Sequence, residues 1–244
     1  MPNRKLTPTY IAAHIRRVLK DGGSAPHSEE VQWFFKEEIT SRGWYTDELR
    51  KVARRFHRAL VSENGLEYLV RVTDQLFRGD VLEEKAMAVY MLQPSLDQLT
   101  EKDFQLFERW LGRISSWADH DALVSYLIGP MIVTQPERVA RVFAWGGSKN
   151  RWRRRAAAVA LIRGARQRMF VNEIACLTDL LLGDKDDMVQ KGLGWLLREY
   201  TKYNRAEAIP LLMRIRRHAP RLVLRTACET LGATDRASIL TRDR

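Results

Sequence analysis

Apolar residues recur at the helical period from one end of this chain to the other, and almost nothing in it reads as a strand. Leu49, Val52, Ala53, Phe56 and Leu60 fall at i, i+3, i+4, i+7 and i+11. Leu66, Leu69, Val70, Thr73, Leu76 and Phe77 repeat the pattern, as do Met188, Val189, Gly192, Leu193, Leu196, Leu197 and Tyr200. Such spacing gathers each set on one face of a helix. No Asn-Gly or Asp-Gly pair joins two alternating runs; Glu63-Asn64-Gly65 sits between helical patterns. Start signals agree with the faces. Thr46-Asp47-Glu48 precedes the first, and Asp80-Val81-Leu82-Glu83 and Thr100-Glu101-Lys102-Asp103 read as capping boxes. Pro94, Pro130, Pro136, Pro210 and Pro220 fall at or near helix starts or in connections. The expectation is an all-α chain of twelve to fourteen helices, each of roughly 10 to 17 residues.

Helix pairs recur about every 35 to 40 residues without a strict sequence repeat, which suits an α-solenoid of HEAT- or armadillo-like repeats with a concave face. A compact irregular bundle is the alternative. No stretch is long enough to serve as a linker, so residues 1–244 read as one domain. Residues 1–25 read as an amphipathic helix with Tyr10, Ile11, His14, Ile15, Val18 and Leu19 on one face, ended by Gly22-Gly23-Ser24-Ala25-Pro26. It would cap the end of the stack or, alternatively, grip the backbone of a partner. The repeats would occupy residues 28–235.

Composition narrows the function. Apolar residues make up 45% of the chain, with seven Trp, which places it among folded globular proteins. A formal net charge of +11 favours a polyanionic partner, nucleic acid before an anionic membrane. Two cysteines, Cys176 and Cys228, lie far apart, which argues for a reducing compartment. No apolar leader or membrane-length run is evident. These features point to a cytoplasmic protein with a nucleic-acid partner. His14, His27, His57, His120 and His218 are dispersed, so neither a metal nor another cofactor is expected.

The charge is concentrated. Between Arg138 and Phe170 stand Arg138, Arg141, Lys149, Arg151, Arg153, Arg154, Arg155, Arg163, Arg166 and Arg168, with no Asp or Glu among them. Ser148-Lys149-Asn150-Arg151-Trp152-Arg153-Arg154-Arg155 opens a helix running to about Gly164. Four arginines at a helix start oppose the macrodipole, which favours anions there. An external phosphate would offset that cost. Arg151, Arg155 and Arg166 share a stripe with Ala158 and Ile162, while Arg153 and Arg154 point elsewhere. A solvated charged face is the alternative. Gly146-Gly147-Ser148-Lys149 lacks the spacing and the preceding strand of a phosphate loop.

Two further constellations carry chemistry. Trp117 and Asp121 are i, i+4 on one helix face. An indole beside a carboxylate suits a cationic guest, through the ring face and through Coulomb attraction. The ordinary alternative is a core Trp with Asp121 or Asp119 as helix cap. In Lys191-Gly192-Leu193-Gly194-Trp195, Trp195 lies at the edge of the apolar face, in a stripe with Lys191, Arg198 and Lys202. An aromatic within a basic stripe suits nucleic acid. The two glycines leave room for a neighbouring helix or a ligand.

Together these motifs resemble the DNA alkylation repair glycosylases of the AlkD type. The resemblance rests on Trp117 to Asp121, on Trp145 to Arg155, on Lys191 to Glu199, and upstream on Phe34-Phe35 through Gly43-Trp44-Tyr45-Thr46 to Leu49-Arg50. The family more often carries an acidic or amide residue directly after the first Trp; here that position is Ala118, with Asp119 one later. The resemblance implies a HEAT-like solenoid holding duplex DNA in its concave face and excising cationic N3- or N7-alkylated purines. It implies Trp117 and Trp195 as lesion contacts and Asp121 as the catalytic carboxylate. Arg155 would contact DNA near the lesion, and Arg151, Arg154, Lys149, Lys191 and Arg198 complete the expected DNA-binding set. The protein would act as a monomer on double-stranded DNA containing alkylated bases. The rivals are a non-catalytic nucleic-acid-binding HEAT-repeat protein and a protein–protein adaptor.

Overall fold

A computed structural model describes residues 6–241. The fold is all-α, as the periodicity requires, and it divides into two compact units, residues 1–127 and 128–244. Among the described residues the one β feature is an isolated bridge between Thr40 and Val81.

The first unit contains α1 (Pro8–Asp21), α2 (Ala25–Gln32), α3 (Thr46–Asn64), α4 (Leu66–Leu76), α5 (Leu82–Leu92), α6 (Glu101–Trp110) and α7 (Trp117–Leu123). Helices α3, α4 and α5 pack on one another, α1 lies on α4, and α7 lies on α5. Leu49, Ala53 and Leu60 of α3 and Leu69, Val70, Thr73 and Leu76 of α4 are buried, on the face the spacing defines. In α1 the buried residues are Ala12, Ile15 and Leu19, whereas Tyr10 is exposed, so the face is rotated from the expected one. Trp44 donates its indole N–H to Leu19 O at 2.7 Å and ties α1 to the α2–α3 connection.

The expected capping box at Thr100 and Asp103 is present, with Asp103 accepting from the Thr100 N–H at 2.7 Å. The one expected at Asp80 and Glu83 is not: Val81 is the N-cap of α5. Glu83 is instead buried and accepts from Ser41 Oγ (2.7 Å), Arg42 N (2.8 Å) and Gly43 N (2.9 Å). A buried loop must satisfy its backbone donors, and this carboxylate does so. Gly43 holds φ +72°, a conformation that suits glycine.

The second unit contains α8 (Gly129–Thr134), α9 (Val139–Gly146), α10 (Arg151–Ala160), α11 (Ile162–Arg166), α12 (Val171–Leu181), α13 (Asp187–Tyr203), α14 (Arg205–Ile215), α15 (Arg221–Ala227) and α16 (Ala233–Leu240). Several helices are shorter than expected. The Ala-rich helix breaks at Leu161 into α10 and α11. Helix α13 is the axis of this unit, packed on α10, α11, α14 and α15. Its predicted face is buried throughout. Both glycines serve helix packing: a Cβ at Gly192 would lie 3.0 Å from Arg155 Cγ on α10, and one at Gly194 would lie 2.8 Å from Thr226 Cβ on α15.

Candidate active site and nucleic-acid interface

Helix α7 is short, and its first turn is fixed by an unusually dense polar network. Ser116 is the N-cap and Asp119 closes the capping box, accepting from Ser116 N at 2.7 Å and Ser116 Oγ at 2.6 Å. The other Asp119 oxygen accepts from Ser115 N (3.0 Å) and from Lys85 Nζ (2.9 Å). Lys85 also donates to Arg113 O (2.7 Å) and Ser115 Oγ (2.8 Å). Both ends of the ion pair are buried, with side-chain exposures of 1% and 0%. Charges out of water hold only when fully hydrogen-bonded, and removing one partner of such a pair costs about 3–5 kcal/mol. Asp119 is therefore a fold residue, and the cap position belongs to Ser116.

This leaves Asp121 outside the cap. Its side chain is 21% exposed, and one carboxylate oxygen lies 2.6 Å from His120 Nδ1. His120 is fully buried. Trp117 opens the helix, partly exposed, and stacks on Phe35 with ring centroids 4.9 Å apart and planes 15° from parallel. The Phe34-Phe35 run was a motif in the sequence, but no helical period links it to Trp117. Beyond Leu123 the helix continues as a π turn, Val124–Ile128. Such turns recur at functional sites.

The arginines of the second unit are less available than their sequence suggests. Asn150 caps α10, its Oδ1 accepting from Trp152 N (2.8 Å) and Arg153 N (3.3 Å). Arg154 pairs with Asp184 at 2.6 Å and also donates to Ser148 O and Lys149 O, both at 3.0 Å. Arg151 lies 3.3 Å from Asp186 and 3.9 Å from Asp187. Arg166 pairs with Glu199 at 2.8 Å. The acid-free window is thus compensated from outside itself. The carboxylates come from the start and middle of α13 and the loop before it.

Arg155 was expected on a phosphate-facing stripe with Arg151. Its side chain is buried between α10 and α13, 5% exposed, and donates to Met188 O at 2.7 Å. The stripe geometry was right for the isolated helix, but α13 covers that side. Arg151 remains partly exposed, with its guanidinium carbon 4.9 Å from the Trp152 ring. Lys149 is exposed. Lys191 pairs with Asp187 (3.1 Å) and Arg198 with Glu229 (2.9 Å), both at the surface. Trp195 is partly exposed, and its indole N–H is buried without a hydrogen-bond partner among the described residues.

Glu199 illustrates the electrostatics. Burial pushes its carboxyl pKa up, but the hydrogen bond and charge of Arg166, with Arg198 and Lys202 nearby, outweigh that and hold it below the ordinary value.

A second basic surface lies on α3, outside the acid-free window. That helix carries Arg50, Lys51, Arg54, Arg55 and Arg58. Of these, Arg50 reaches a tyrosine, and no ion pair forms among the described residues. The signal was present as a repeat of basic residues at helical spacing, overshadowed by the denser window downstream.

Among the described residues no group of three His, Cys, Asp or Glu side chains could hold a metal ion. None of their helices is long and apolar enough to cross a membrane.

The DNA alkylation repair enzyme family profile matches residues 15–231. The chain belongs to that family. The first and third motifs of the resemblance fall within the match, as do Trp145 to Arg155. Among solved structures, a predicted DNA alkylation repair enzyme from Enterococcus faecalis is 16% identical. It superposes with a TM-score of 0.78 over 86% of this chain and 97% of its own. AlkD2 from Streptococcus mutans is 18% identical, with a TM-score of 0.63 over 91% of this chain and 99% of its own. At that identity both likenesses establish the shared all-α fold. No curated protein matches the chain.

Proposed function

We propose that this protein is a DNA glycosylase that hydrolyses the N-glycosidic bond of positively charged N3- or N7-alkylated purines in duplex DNA. The observation that carries the reading is the pairing on α7: a partly exposed Asp121 one turn from a partly exposed Trp117, on a helix start locked by Lys85 and Asp119. Family membership and the basic surfaces support it.

An alkylpurine of this kind is already cationic, so its glycosidic bond is weak and the base leaves without being protonated. What remains is to stabilise the oxocarbenium-like sugar and to orient water. One carboxylate suffices for that, where a neutral leaving group needs an acid and a base. Asp121 takes this role, oriented by His120. Preorganisation matters because a charge aimed at the developing cation avoids reorganisation during reaction. Trp117 and Trp195 contact the lesion nucleotide, and each ring face favours the cationic base by about 0.5–2 kcal/mol. Lys149 contacts the sugar-phosphate backbone directly, and Arg151, Arg154, Lys191 and Arg198 do so by exchanging a carboxylate for a phosphate. Arg155 acts from beneath, joining α10 to the helix that carries Trp195.

Release of free base from methylated duplex DNA, followed by chromatography, tests the reading. Asp121→Asn is expected to reduce excision at least 100-fold while DNA binding is retained. Wild-type protein that binds DNA yet frees no base favours the alternative, a binding-only member of the family.

A further inference from the structure

Arg50 of α3 is held in an unusual setting for a surface arginine. Its Nη2 donates to Tyr126 Oη at 2.6 Å. Its guanidinium carbon lies 4.8 Å from the centre of the Tyr90 ring and 5.1 Å from that of Tyr126. The two phenols meet edge to face, with centroids 5.8 Å apart. The Nε–H of Arg50 is buried and has no hydrogen-bond partner among the described residues. Aromatic walls take a cation out of water and strengthen its attraction for an anion.

One helical turn further along the same face stands Arg54, exposed and without an ion pair among the described residues. The two arginines open onto a cavity of about 410 Å³ that is also lined by Tyr90, Gln93 and Pro94. No carboxylate lines it. Two guanidiniums that share a cavity with neutral donors repel each other unless an anion enters. Tyr126 accepts from Arg50 and so holds that guanidinium at the cavity wall. Burial pushes the Tyr90 hydroxyl pKa above its ordinary value against the opposing pull of Arg50, so that hydroxyl remains a donor. An array of donors with no acceptor charge matches a phosphate group, whose oxygens accept from arginine forks and hydroxyls alike.

We propose that Arg50, Arg54 and Tyr90, with Tyr126 positioning Arg50, form a receptor for one phosphate group of the DNA backbone, separate from the arginines of the second unit. The assignment to DNA rests on the function proposed above. Tyr126 belongs to the π turn that extends α7, the helix of Asp121. A phosphate gripped here fixes the register of the strand relative to that helix.

The test is binding of a duplex oligonucleotide over a salt series by wild type, Arg54→Gln, Arg50→Gln and the double variant. It is paired with titration of inorganic phosphate, followed by the arginine Nε–H resonances. Arg54→Gln removes an exposed, unpaired side chain, so the result does not hang on folding. Each single variant is expected to lower the slope of log K against log salt by about 0.9, the equivalent of one phosphate. The double variant is expected to lower it by no more, because both arginines grip the same group. Unchanged slopes in Arg54→Gln and the double variant, with wild type binding DNA, overturn the proposal and leave the glycosylase reading intact. Wild type that fails to bind DNA at low salt overturns that reading instead. A saturating shift of the Arg50 resonance with inorganic phosphate would then keep the anion site with free phosphate as its ligand. No shift overturns the site as well.

Discussion

In α10 two arginines lean on carboxylates from the start of α13 and the loop before it; in α3 none does among the described residues. Arg151 and Arg154 meet Asp186, Asp187 and Asp184, and Arg155 is buried against Met188 O. On α3, Arg50 is enclosed by phenols, and Lys51, Arg54, Arg55 and Arg58 form no ion pair among the described residues. By sequence α10 is the more basic region, since its window holds no acid while α3 carries Asp47, Glu48 and Glu63. Folding inverts that order of availability. Local charge density measures how a segment would behave alone; the charge a ligand meets depends on what packs beside it. Pairing with one or two partly exposed carboxylates still permits exchange for a phosphate, but at the cost of freeing those carboxylates.

The comparison is broken most directly at Arg155. Arg155→Met keeps the apolar stem against Gly192 and loses the bond to Met188 O, and is expected to destabilise the fold by about 2 kcal/mol in denaturant unfolding. An unmoved midpoint together with a salt slope lowered by about one unit would return Arg155 to the phosphate-gripping role the sequence suggested.

A second, smaller effect comes with pH. Glu199 is held below its ordinary pKa by Arg166, so the stability it contributes is fully present above the unfolded value, about 4.3. It is lost as pH falls through the depressed folded value. Thermal midpoints of wild type and Glu199→Gln are expected to converge as the pH drops below roughly 4. A gap that stays constant into stronger acid would mean that the Arg166 contact is not electrostatic.

The smallest expected effect sharpens the other side. Arg54→Gln should change stability by less than about 0.5 kcal/mol, since the side chain touches no carboxylate. A larger loss would show that α3 arginines are structural in the way α10 arginines are.

Much of the candidate site was legible in the sequence. Trp117 and Asp121 emerge together because four residues span one turn, and that turn exists as expected. The role of Asp119 was not legible. Its partner Lys85 is 34 residues away on α5, and no local rule connects them. Glu83 shows the same limit. A capping-box spacing was present, yet the carboxylate went to a loop some 40 residues upstream, where it accepts from the Arg42 and Gly43 N–H groups.

The sequence by itself determined that the chain is helical, which face of most helices is buried, and where its unusual aromatic and acidic pairs stand. These follow from periodicity, which acts over one or two turns. Tertiary structure alone decided which charges remain free. Ion pairing and burial are set by side chains brought together across helices, and those partners are distant along the chain.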